Sequence, residues 1–261
     1  MSKARALDYA YAVGRVRALE KNLIAQAVFQ EAADSPSLTN AMKLLMDAGS
    51  FREERIEFQD SYDLDSYLEN ERHLLIPDME ALFLEKKFVS IVRDRTNLRN
   101  LRSAAASVDC SFVRDYVRHL LDLKNIKLFL RARYLELPLE KIEAQLLSGG
   151  FFDSSRFVRS YDLPLAEVGE LLHASPYRDL WDRAADTLAE QDSFSDLERG
   201  IADFLMNFLR RARQIVFGPE PVFAFALARL KELELVRLIG VGKLMQIPPA
   251  VLSSRISETY V

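Results

Sequence analysis

SDLERGIADFLMNFLRRARQIV, residues 195–216, decides the fold class. Leu197, Ile201, Phe204, Leu205, Phe208, Leu209, Ala212, Ile215 and Val216 recur three and four positions apart. Arg199, Asp203, Asn207, Arg211 and Gln214 fall off that stripe. An apolar stripe with a polar complement at this period is the signature of an amphipathic α-helix that buries one face. Ser195 and Glu198 have the spacing of a capping box at its start, and Gly218-Pro219 stops it.

The same period extends outward in both directions. Downstream, Pro221 opens a helix over Val222–Leu244 that is apolar on most sides, with polar intrusions at Arg229, Lys231, Glu232, Glu234, Arg237 and Lys243. A helix of that pattern is expected to be central to the fold. Pro248-Pro249 opens a last short helix, after which Tyr260-Val261 is expected to dock rather than fray. Upstream, Pro176 and Pro164 each introduce a helix, and 149–163 reads as an irregular connector carrying Phe151, Phe152 and Phe157. Pro138 opens a short helix closed by Gly149-Gly150, and Phe112–Tyr134 forms a long one. Earlier helices are predicted over Phe88–Ala106, Asp65–Lys87 (with Pro77 as a kink or break), Phe51–Gln59, Leu38–Met46 and Ala4–Ala33. The expectation is an all-α protein, with an N-terminal helical lobe over 1–109 and C-terminal lobes over 110–261 in one compact body.

Composition agrees. Only four threonines occur, while Leu, Ala, Glu and Arg recur, a bias toward helix formers over β-branched residues. Hydrophobic residues at 49% and charged residues at 28% exclude a wholly disordered chain. The single cysteine, Cys110, excludes an internal disulfide and fits a reducing, cytosolic compartment. The first residues, MSKARALDYAYAVGRVRALEKNLI, lack the apolar stretch of a signal peptide, and no run is long and apolar enough to cross a bilayer.

Paired leucines hint at an internal repeat. Leu38, Leu44 and Leu45 correspond to Leu165, Leu171 and Leu172, 127 positions later, and Leu68-Glu69 to Leu197-Glu198, 129 later. In both copies a short helix with paired leucines ends near an aromatic, Phe51 or Tyr177.

Catalytic patterns are not evident. His73, His119 and His173 stand far apart without metal-ligand spacing, and read as ordinary surface or core imidazoles. Cys110 reads as a buried thiol. Gly240-Val241-Gly242-Lys243 lacks P-loop spacing and a preceding strand, so its glycines read as a close helix contact or a helix end. Glu53-Glu54 and Asp63/Asp65 read as solvated faces. The arginines at 93, 95, 99 and 102 and at 210, 211 and 213 read as ion-pairing faces, with no aromatic platform for nucleic acid. What remains is polar residues inside apolar helices: Asp122 and Asn125 share one face, and Asp94-Arg95-Thr96-Asn97 repeats the Asp-x-x-Asn spacing. Such groups must be paired, so they are expected to fix helix register.

At these residues the chain resembles the C subunit of the V/A-type rotary ATPases, the relative of the d subunit of the eukaryotic enzyme. The similarity rests on Asp122, Asn125, Ile126, Arg131 and Arg133, and then on Leu197, Glu198, Asp203, Gly218, Pro221 and Val222. It is strongest in KELELVRLIGVGKLMQIPPAVLSSRISETYV, residues 231–261, through Glu232, Arg237, Ile239, Gly242, Lys243, Ile247, Pro248, Arg255, Tyr260 and Val261. A looser match runs from Tyr9-Ala10-Tyr11 through Arg15, Arg17, Ala18 and Glu20. The resemblance implies a funnel of similar helical lobes around a central socket, set between the central stalk and the membrane proteolipid ring and turning with the rotor. It implies no cofactor, no catalysis and no membrane insertion, with ATP and proton or sodium chemistry left to partner subunits. Asp122, Asn125, Arg131, Glu198, Asp203, Glu232, Arg237 and Lys243 would then be architectural. A helical scaffold unrelated to rotary motors is the alternative.

Overall fold

Every regular element among the described residues of the computed structural model, 6–83, 85–93 and 97–261, is a helix. In chain order these are α1 (Ala10–Leu19), α2 (Gln26–Asp34), α3 (Leu38–Ala48), α4 (Ser61–Leu82), α5 (Lys86–Arg93), α6 (Leu98–Ala106), α7 (Ser111–Tyr134), α8 (Leu139–Glu143), α9 (Ser154–Arg159), α10 (Leu165–Leu171), α11 (Arg178–Gln191), α12 (Ser195–Arg210), α13 (Glu220–Leu244) and α14 (Pro249–Arg255). Short 3-10 turns precede α1, follow it, and follow α12.

The chain divides into two units: Met1–Arg93 with Met206–Val261, and Asp94–Leu205 between them. A single boundary at 109 does not describe this, because α13 packs on α2, α3 and α4 and so returns residues 206–261 to the N-terminal helices. The first unit is built on α13, whose Leu233, Val236 and Ile239 join Phe29, Leu45 and Leu64 in its core. The second is built on α7, whose Leu123, Ile126 and Phe129 meet Phe157, Leu172 and Trp181. The stripe of α12 serves both: Leu197 and Ile201 are buried in the second unit, Phe208 and Leu209 in the first.

The two units repeat one plan. After α7, Glu136 adopts φ 50°, the Leu137 N–H donates to the Ala132 carbonyl (3.0 Å), and Pro138 precedes α8. After α13, Gln246 adopts φ 55°, the Ile247 N–H donates to the Gly242 carbonyl (2.8 Å), and Pro248 precedes α14. Near the end of each long helix a cation reaches two carbonyls two residues apart. Arg133 donates to Tyr161 and Leu163 between α9 and α10, and Lys243 donates to Ala33 in the last turn of α2 and to Ser35 just after it. The leucines 127 positions apart thus fall on corresponding helices, with Leu45 and Leu172 both buried. For α4 and α12 the offset is different. Asp65 pairs with Arg237 of α13 (2.7 Å) and Glu198 pairs with Lys127 of α7 (2.6 Å), which aligns Leu64 with Leu197. The Leu68-Glu69 match is therefore one helical turn out of register.

Several sequence expectations are corrected. The first helix does not run unbroken to Ala33: Leu23 and Ala25 are extended, and the Ile24 N–H is bonded to the distant Glu232 carboxylate rather than within a helix. Ala4 lies outside the described residues. No helix forms over Phe51–Gln59, where the Arg52 N–H goes to Glu71 (3.1 Å) and the Glu53 carbonyl accepts the Tyr67 hydroxyl (2.7 Å). Phe88–Ala106 is not one helix, since α5 ends at Arg93 and Asn97 caps a new start by accepting the Asn100 N–H. Asp94, Arg95 and Thr96 lie outside the described residues. The connector 149–163 contains α9, capped by Asp153 through the Ser155 N–H (2.9 Å) and held by burial of Phe157. Pro77 sits within α4 without ending it. The Ser195 capping box is not made: the Ser195 N–H is bonded to Ser193 Oγ, and Glu198 turns to Lys127 and Arg131.

Candidate functional site: a buried carboxylate on each long helix

In the second unit, Asp122 stands on α7 with 0% exposure. Its Oδ2 accepts the Phe151 N–H (2.9 Å) and the Tyr177 hydroxyl (2.8 Å), and the Phe152 N–H lies 3.2 Å from both oxygens. Burial raises its pKa above the ordinary carboxylate value, and these donors together with Arg118 pull it back. One turn on, Asn125 brackets Leu147, donating to its carbonyl and accepting its N–H, both at 2.8 Å. Two polar residues on one face of α7 therefore hold the backbone of residues 147–152. That segment approaches so closely that a Cβ on Gly150 would lie 1.8 Å from Asp122 Oδ1.

The Tyr177 hydroxyl gives its proton to Asp122, so at 2.7 Å from His119 Nδ1 it accepts from that ring nitrogen. His119, one turn before Asp122, also packs on Phe151 (4.6 Å between centroids) and Phe204 (5.1 Å). The Arg118 guanidinium stands 3.8 Å from the Phe151 ring centroid. Burial and the neighbouring Asp122 carboxylate push the Tyr177 phenol far above its usual value, so it stays a donor.

In the first unit the corresponding residue is Glu232 on α13, 3% exposed. One oxygen accepts the Ile24 N–H ahead of α2, as Asp122 accepts Phe152 ahead of α9, and the other accepts Arg229. Arg229 occupies the turn that His119 occupies in α7, donates also to the Ser50 carbonyl, and lies 5.6 Å from the Phe51 ring centroid. Burial pushes the Glu232 carboxyl up to about 7, against Arg229 and the Ile24 N–H, which lower it.

The eight residues singled out from sequence are divided between the two units. Asp122, Asn125, Arg131, Glu198 and Asp203 belong to the second unit, and Glu232, Arg237 and Lys243 to the first. Asp122, Asn125 and Glu232 are buried, whereas Arg237 is 55% exposed in its pair with Asp65 and Glu198 is 41% exposed between Lys127 and Arg131. Asp203 is half-buried on α12. Gly240 and Gly242 are packing positions, where a Cβ would meet Leu64 at 2.5 Å and Leu252 at 2.2 Å. Sequence reasoning missed the His119–Tyr177 pair, although His119 three residues before Asp122 on the same helix face is the signal that points to it.

The first unit also contains a cleft of about 400 Å³ lined by Arg15, Phe51, Arg52, Glu71, Asp78 and Arg229, among others. Its charged walls are partly spent on one another, with Arg52 paired to Asp78 at 2.7 Å. Among the described residues, no three His, Cys, Asp or Glu side chains are grouped to hold a metal ion, and no helix is long and apolar enough to cross a membrane.

Among curated proteins, none matches the chain significantly. The family model described as ATP synthase (C/AC39) subunit matches residues 89–255, from α5 to the last residue of α14. That span holds both buried carboxylates, both long helices and more than half of the sequence, and the chain belongs to the ATP synthase (C/AC39) subunit family, which includes the C subunit of the V/A-type enzymes.

Proposed function

We propose that this protein is a non-catalytic rotor adaptor of a V/A-type ATPase, linking the soluble central stalk to the membrane proteolipid ring during ATP-linked proton or sodium transport. The observation that carries the reading is the family match over residues 89–255. Its partners are other subunits of the complex, it is held peripherally at the cytoplasmic side of the membrane, and its lobes surround a socket for the stalk. It needs no cofactor and leaves nucleotide chemistry to those partners.

The interiors of the two units support such a role. A part that transmits torque needs elements that do not slip along one another. Each long helix here is pinned to a helix pair by a buried carboxylate on backbone N–H groups and by a cation on backbone carbonyls. Pins of this kind fix register, because sliding by one residue would strand every donor in an apolar interior. Asp122, Asn125, Glu232 and Lys243 act as such pins, and Arg131, Glu198 and Arg237 as ion pairs beside them, away from any substrate.

Co-expression with the candidate stalk subunits and proteolipid ring of its host, followed by native mass spectrometry, tests the reading. One copy of the chain bound to stalk or ring is expected. Failure to bind either partner while both are folded would overturn the adaptor role and leave a family member with another task.

A further inference from the structure

The segment Arg211–Phe217, between α12 and α13, has a chemistry that the fold around it does not use. Val216 is 67% exposed and its neighbour Phe217 is 43% exposed. Arg211 and Arg213 are exposed beside them, and among the described residues neither guanidinium is paired with a carboxylate. Arg211 instead lies 5.0 Å from the Phe208 ring centroid. Of the acidic groups nearby in sequence or packing, Glu258 holds Arg210 (2.8 Å) and Glu20 holds Arg17 (2.7 Å), while Glu220 turns a buried carboxylate oxygen toward Gly218.

This arrangement is held rather than loose. The Arg17 guanidinium donates to the carbonyls of Ala212 (2.9 Å), Arg213 (3.1 Å) and Ile215 (3.0 Å), fixing the backbone from α1. Gly218 then turns the chain at φ 126° into α13, a conformation that a side chain would strain. The other unit shows that the turn itself demands no large apolar residue at the surface. At the positions 110 earlier, before α7, the exposed residues are the small Ala106 and Ser107, while the apolar Val108 and Cys110 that follow are buried. The exposure at 216–217 is particular to this turn and is not needed to start the long helix.

We propose that Arg211, Arg213, Val216 and Phe217 form a docking element for the anionic surface of a lipid bilayer. Two consecutive apolar side chains on a tied turn can enter the headgroup–acyl boundary, while unpaired arginines beside them meet lipid phosphates. Complementary charge is what selects this occupant: the element presents two cations and no free anion. The inference does not depend on the rotor reading, since it concerns the chain and a membrane without other subunits.

Co-sedimentation of the purified chain with phosphatidylcholine vesicles containing a quarter phosphatidylglycerol is the test, against pure phosphatidylcholine. Binding to the anionic vesicles, weakened by salt, is expected. Arg211→Ala/Arg213→Ala should weaken it about fivefold per arginine, and Val216→Ser/Phe217→Ser should abolish it with the helical circular dichroism unchanged. Met245→Ser is the control, because Met245 is 65% exposed but lies at the far end of α13; it should bind like the parent. No preference for the anionic vesicles, or equal loss in the control, would overturn the proposal. Wild-type chain that ignores vesicles but loses assembly with partner subunits through the same four substitutions would also overturn it, and would assign the element to a protein surface.

Discussion

Tyr177 gives its hydroxyl proton to Asp122 across 2.8 Å while its oxygen receives His119 Nδ1 at 2.7 Å, so one phenol joins a carboxylate and an imidazole carried on successive turns of α7. Tyr177→Phe removes both bonds and leaves the ring in place. The loss of a bond to a buried carboxylate, with an imidazole N–H left unpaired, should cost about 1.5–3 kcal/mol. Urea unfolding would read this as a lower midpoint, and an unchanged midpoint would refute the arrangement.

Glu232→Ala should be more damaging than Tyr177→Phe, at about 3–5 kcal/mol, because it leaves the buried Arg229 charge without its carboxylate. The Ile24 N–H loses its acceptor as well. Replacing both partners, Arg229→Met with Glu232→Leu, should recover a large part of that loss. A double variant no more stable than Glu232→Ala would show that the pair is not the origin of the effect.

Two glycines should respond oppositely to the same methyl. Gly150→Ala places a carbon 1.8 Å from Asp122 Oδ1, so the 147–152 segment must leave its two anchors. Gly14 lies in α1 with open space where a methyl would stand, and Gly14→Ala should stabilise by about 0.5–1 kcal/mol. Melting temperatures of the two variants, measured side by side, check both signs.

The buried carboxylates also set a pH trend. Between the ordinary value of 4.5 and about 7, folded chain holds more proton on Glu232 than unfolded chain does, so this group makes stability fall as pH rises across that window. Asp122, raised from 3.8, acts in the same direction. Glu232→Gln should flatten the difference in melting temperature between about pH 5 and about pH 7.5. An unchanged slope would place the titration elsewhere.

What the sequence made legible was local. The period of α7, α12 and α13, and the prolines before α8, α10 and α14, are written in consecutive residues. The misread segments depend on groups far along the chain. Ile24 leaves the helix because its N–H serves Glu232, 208 positions away, and 51–59 stays irregular because Glu71, Tyr67 and Arg229 take up its flanking backbone. The repeat was visible through its leucines, but for α12 identity of the Leu-Glu pair misled, since the matching ion pairs lie one turn away. Asp122 and Asn125 could be read as buried polar residues, yet which backbone they hold follows only from the turn at Gly150.

The two units repeat the same plan with different beginnings: one starts near its long helix and the other ends near it. During synthesis this imposes an order. Residues 94–205 leave the ribosome with α7 ahead of the helices it organises, whereas α2, α3 and α4 emerge long before α13. Ile24, Ala33 and Ser35 therefore wait for Glu232 and Lys243, and an apolar face of the nascent N-terminal helices stays uncovered until translation reaches residue 244. Truncation within α13 would strip the first unit of its centre while the second keeps its own, so a stalled chain carries one finished half and one exposed half into the reach of chaperones.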